Sequence, residues 1–281
     1  MHRPQEITQT SSSEADVIRL SNIAQMAHKY HFITTESWAL KSLCRCLMEA
    51  ARSGRAVSTH ALVRVTEVAV LCNDSDSSGN SSSTSESDSA ALLLLTAVVA
   101  RWRSLIAERK DLAVVMGAAG RLQLRDLEGL AYHAMLLQGR RKWDADPLLT
   151  RDQRVRLLSG HYNLTVACEA MPDSPPEINH HLTCSYRGEC QEVWEMLWKQ
   201  ITSIGGDGGI SSQALVHDKL DLLGRAMMAV SVMTAFVEGS IPQYELITMM
   251  HRDCTVAALG ATSALCHNIQ ATLIDYFDDV K

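Results

Sequence analysis

Apolar residues recur three and four positions apart along most of this chain, and that spacing predicts helices. Leu20, Ile23, Ala24 and Ala27 make one such face. A second helix opening at Thr34 or Thr35 carries Ala39, Leu43, Cys46, Leu47 and Ala50, and Gly54 stops it. A third, over about 58–71, carries Ala61, Leu62, Val65, Val68 and Ala69. The pattern resumes at Ala90 and runs to about Lys110, after Ser87, Asp88 or Ser89 as cap. Asp111 is placed to cap a helix through Ala119 that Gly120 breaks, and Leu127, Leu130, Ala131, Ala134 and Met135 mark the next. Gly139 to Pro147 reads as a loop. Thr150-Arg151-Asp152-Gln153 fits a capping box, in which the hydroxyl and the amide satisfy each other's free backbone N–H groups. The stripe behind it is Leu157, His161, Leu164, Thr165 and Cys168, which makes His161 a hydrogen-bonded core histidine.

Pro172, Pro175 and Pro176 end that helix and open a polar loop. Val193, Trp194, Leu197, Trp198 and Ile201 mark another helix, with both tryptophans in the core, and the glycines of 205–209 stop it. Ser212 is placed to cap a helix with Leu222, Leu223, Ala226, Ala229, Val230 and Met233, ended by Gly239. One or two last helices span about 243–279, with Leu246, Met250, Leu259, Ile269 and Leu273 inward. No strand-like alternation is longer than a few residues, and no repeat of 33–47 residues is present. The expected fold is all-α, an irregular multi-helix bundle interrupted by a Ser/Asp-rich insert. Four regions follow: a disordered tail 1–16, a helical part 17–72, a low-complexity linker 73–89 (NDSDSSGNSSSTSESDS) and a helical domain 90–281.

Composition changes the picture mainly by exclusion. The chain is 46% hydrophobic but only 5% aromatic, a helix-core composition. A net charge of −6 without a Lys/Arg run argues against nucleic acid and against an anionic membrane surface. The cluster Arg140, Arg141, Lys142 beside Trp143 reads as a solvated turn. The polar N-terminus has no apolar core of a signal peptide, and the apolar run Ala90–Ala100 stops at Arg101, short of a membrane span. The expected location is the cytoplasm or nucleus. The eight cysteines then read as reduced, and the sequons at Asn73, Asn80 and Asn163 as unused.

Catalytic signatures are missing: no G-x-G-x-x-G, G-x-x-x-x-G-K-[ST], G-x-S-x-G or H-E-x-x-H is present. Gly205-Gly206-Asp207-Gly208-Gly209 lacks the flanks of a phosphate loop and reads as a linker. Ser159-Gly160-His161 pairs a serine and a histidine in sequence only. The expectation is a non-enzyme with no catalytic or cofactor-binding residues. Ser83 and Ser85 each have an acidic residue three positions on, the pattern of acid-directed kinases. The stretch richest in chemistry is His180-His181-Leu182-Thr183-Cys184, followed by Cys190. Imidazole and thiolate suit Zn²⁺, and a closed structural site needs four ligands. His180, His181, Cys184 and Cys190 are therefore candidate zinc ligands. The competing readings are a packed loop of reduced thiols and a Cys184–Cys190 disulfide.

Residues 20–47, LSNIAQMAHKYHFITTESWALKSLCRCL, resemble the helices that close the BTB fold in BTB/POZ-domain proteins of mushroom-forming fungi. GAAGRLQLRDLEGLAYHAMLLQ, 117–138, is similar to that family's following hairpin. LTRDQRVRLLSGHYNL, 149–164, resembles its "RLLsGh" element, and Cys184, Cys190, Trp194 and Trp198 its C…C-x-x-x-W-x-x-x-W pattern. The chain begins after the β-rich half of a BTB domain, so a truncated product, a fragment or a member that lost the sheet is expected. The resemblance implies a protein–protein interaction scaffold or adaptor with an unassigned protein partner. A zinc-stabilised regulatory module is the alternative.

Overall fold

The computed structural model describes residues 14–73, 86–203, 219–240 and 250–279. Among them are eleven α-helices and no strand, so the chain is all-α. They form two compact units, Met1–Leu127 and Glu128–Lys281.

In the first unit α1 (Glu14–Lys29) packs on α2 (Ile33–Ser53) and α3 (Thr59–Asn73), and α4 (Glu86–Ala107) packs on α2 and α3 in turn. The reason lies in the stripes. Leu20, Ala24 and Ala27 of α1 and Leu40, Leu43 and Leu47 of α2 are buried, as are Leu62, Val65 and Ala69 of α3. On α4 the buried stripe is Ala91, Leu94, Val98, Trp102 and Leu105, and the Trp102 indole N–H donates to the Thr66 hydroxyl at 2.9 Å. Ser89–Ala107 is long and apolar enough, by length and composition, to cross a membrane; this buried stripe gives it a packing role within the unit. α5 (Leu112–Arg121) follows.

In the second unit α6 (Arg125–Leu137, beginning just before the division) is followed by α7 (Arg140–Ala145) and α8 (Arg151–Ala170). The C-terminal 3-10 helix Leu273–Phe277 packs along α8. There a Cβ on Gly160 would meet the Phe277 ring, so glycine is what lets the segment close. Arg156 pins the contact. Its guanidinium donates to Glu128 at 2.6 Å and to Asp278 at 3.0 Å, and stacks 4.7 Å from the Tyr132 ring centre. A 3-10 turn, Met171–Asp173, leads to α9 (Arg187–Thr202), then come α10 (Leu222–Val237) and α11 (Arg252–Ala271), with α10 packed on α9 and α11.

Several expectations need correction. α2 begins at Ile33, with Phe32 rather than Thr34 or Thr35 as its cap, and Phe32 makes no side-chain hydrogen bond. Asp111 precedes α5 in left-handed conformation, also without a side-chain cap, and Gly120 does not break the helix. Arg140–Ala145 is helical where a loop was expected; Trp143 is buried and ties the turn down. His161 is exposed, not core, because Gly160, not His161, lies on the face that meets Phe277. Residues 14–16 are in α1, Asn73 is in α3 and 86–89 are in α4, helical where tail and linker were expected; 1–13 and 74–85 lie outside the described residues. The division between 72 and 90 also fails, since α4 shares the core of α2 and α3. The cap of α10 is Asp221, which accepts from the Gly224 N–H at 2.7 Å. Residues 205–209, Ser212, Leu246, Ser83, Ser85 and Asn80 lie outside the described residues.

Candidate metal centre

Two buried indoles set the stage. Trp194 and Trp198, one turn apart on α9, are fully buried with ring centres 5.6 Å apart. The first donates to the Pro176 carbonyl at 2.9 Å and the second to the Met171 carbonyl at 2.7 Å. These bonds hold the proline-rich chain that leaves Met171 against α9. That chain then runs through Ile178, itself buried, to His180 and Cys184. Cys190 sits in the first turn of α9 and Cys254 in the first turn of α11, whose N-cap is His251.

The three segments converge. One ligand atom from each of His180, Cys184, Cys190 and Cys254 lies within 4.8 Å of all the others. Cys254 Sγ is 3.6 Å from His180 Nδ1. A tetrahedral zinc site with Zn–S of about 2.3 Å has ligand–ligand edges of ~3.8 Å. The group is therefore within a small contraction of that geometry. The three cysteines are buried and the histidine half-buried. Burial pushes the Cys190 thiol up to about 11; the His251 backbone group opposes the rise, and Cys254 and Cys184 add to it. A divalent cation bound to the Cys190 sulfur would favour its deprotonated form against this burial.

Of the four residues named from the sequence, His180, Cys184 and Cys190 come together and His181 does not. Its ring is exposed and turned away. His181 Nδ1 lies 2.8 Å from the Thr183 hydroxyl and 3.5 Å from Asp253, and its ring stacks parallel to His251 at 6.1 Å. It ties the loop to the start of α11 instead. The fourth position belongs to Cys254, which sequence reasoning missed. A signal existed: His251-Arg252-Asp253-Cys254 repeats the spacing of His181-Leu182-Thr183-Cys184. All eight cysteines are free, so Cys184 and Cys190 are not a disulfide.

A second group, His28, Glu36 and Cys72, meets the same distance limit in the first unit. There His28 Nδ1 already lies 3.2 Å from Glu36 Oε1, and the three residues account for themselves as a hydrogen-bonded core pair beside a buried thiol.

Four protein ligands with no open position make a structural centre, in contrast to catalytic zinc, which keeps one position for water or substrate. A scan against protein-family models and searches of the curated proteins and of the solved structures find no match for this chain.

Proposed function

We propose that the chain is a non-enzymatic helical interaction scaffold of the BTB-associated kind, with a second unit closed by a structural zinc ion on His180, Cys184, Cys190 and Cys254. The observation that carries the zinc reading is the convergence of these four ligand atoms, from a loop and two helices, within 4.8 Å. Zinc is favoured over harder cations because three of the four ligands are sulfur. Its chemistry here is to neutralise three thiolates and cross-link the loop, α9 and α11. The scaffold reading is supported by the resemblance of residues 20–47, 117–138 and 149–164 to the helices of BTB-domain proteins.

The test is metal content of protein purified without added zinc. About one equivalent per chain is expected, and Co²⁺ exchanged into the site should give thiolate charge-transfer absorption. Cys254→Ser should lose the ion, whereas Cys44→Ser, at a half-buried thiol outside the cluster, should keep it. Wild-type protein holding less than roughly a tenth of an equivalent, with no cobalt spectrum on titration, rejects the centre.

A further inference from the structure

Helix α8 is apolar on two opposite faces. The inner one, Leu157, Gly160, Leu164 and Cys168, meets the core. The outer one is Val155, Leu158, Tyr162 and Val166, exposed by 53, 53, 52 and 49%. Their spacing of i, i+3, i+7 and i+11 sets them in one line, the seam that a helix offers to another helix. The helix is 20 residues long, roughly 30 Å of seam. A solvated face has no physical need for four apolar residues in register.

The ends of the seam carry opposite charges. Arg151 lies seven positions before Leu158 and Glu169 seven positions after Tyr162, so both fall on the seam's line. Both are exposed, and neither makes an ion pair among the described residues. Leu158 and Tyr162, and Arg151 and Glu169, are thereby placed symmetrically about Gly160, with Val155 and Val166 centred half a residue beyond it, and the end pair is complementary in charge. An antiparallel copy of the same helix centred there sets Leu158 against Tyr162 and Arg151 against Glu169, each twice. A parallel copy sets Arg151 against Arg151, like charge on like.

We infer that α8 pairs antiparallel with α8 of a second copy of this chain, across a two-fold axis near Gly160. The pairing goes beyond the zinc-centre reading and does not depend on it. A self-complementary patch is what a two-fold interface requires. The charged ends select the direction and the apolar seam supplies the attraction.

Sedimentation of the full chain over a concentration series tests this. Wild type is expected to pass from monomer to dimer with rising concentration. Leu158→Glu, at an exposed site, should stay monomeric with an unchanged helical circular dichroism spectrum. Arg151→Glu should weaken association about tenfold, and Arg151→Glu combined with Glu169→Arg should restore it to within about threefold of wild type. A chain that stays monomeric into the hundreds of micromolar overturns the proposal. So does a dimer that Leu158→Glu leaves intact, or a charge swap that fails to rescue.

Discussion

His180 and His181 are neighbours, yet their imidazoles have different work. His180 Nδ1 faces Cys254 Sγ, whereas His181 leans on Thr183 and Asp253 at the surface. His180→Ala should lower zinc affinity by about a hundredfold, while His181→Ala should still bind about one equivalent. Zinc lost equally from both variants would contradict this division. A second residue reports on pH. Burial first, then the charge of Glu36 and a hydrogen bond with it, push the Cys72 thiol from 9.0 up to about 12. Its folded pKa is raised, so from pH 9 upward the unfolded chain gives up this proton while the folded chain keeps it. Stability is therefore full below pH 9 and drains as pH climbs towards 12. In thermal melts the difference between wild type and Cys72→Ala should shrink above about pH 9; a difference independent of pH argues against it.

Among the elements, α8 shows what local sequence can and cannot say. Its start was legible, because a capping box needs only residues three apart. Gln153 N–H donates to the Thr150 hydroxyl at 3.2 Å, and Thr150 N–H donates to Gln153 Oε1 at 2.9 Å. Thr150→Ala should cost about 1 kcal/mol in chemical denaturation, and an unchanged midpoint would mean that the box contributes nothing. Its inner face was half legible. Leu157, Leu164 and Cys168 were placed correctly, but His161 was not, because the choice between positions 160 and 161 is made by Phe277, more than a hundred residues away. The start of α2 failed for a related reason: Phe32 donates to the Ala27 carbonyl at 2.8 Å and continues straight into the helix, so no side-chain cap was needed. The metal cluster divides along the same line. Three local ligands could be read from one stretch, whereas Cys254 is brought in by α11 packing on α10.

For the whole molecule, the all-α class was legible, although the short helix Arg140–Ala145 was not, and neither was the grouping into units. The Ser-rich stretch looks like a boundary by composition, but Trp102 and Thr66 lie on opposite sides of it and share a core hydrogen bond. Confining the centre to the second unit gives a regional prediction. A chelator should raise amide hydrogen exchange in 178–202 and 250–271 and leave α1–α3 as they were. A uniform rise across both units would show that zinc removal acts on the whole chain.

The order of the ligands along the chain has one more consequence. His180, Cys184 and Cys190 leave the ribosome close together, but Cys254 follows Cys190 by sixty-four residues. Until it emerges, a growing chain carries two thiols and an imidazole with a vacant fourth place, a set that exchanges ions readily. Translation past residue 254 would convert that loose chelate into a closed knot, so metal capture would await the start of α11 during synthesis.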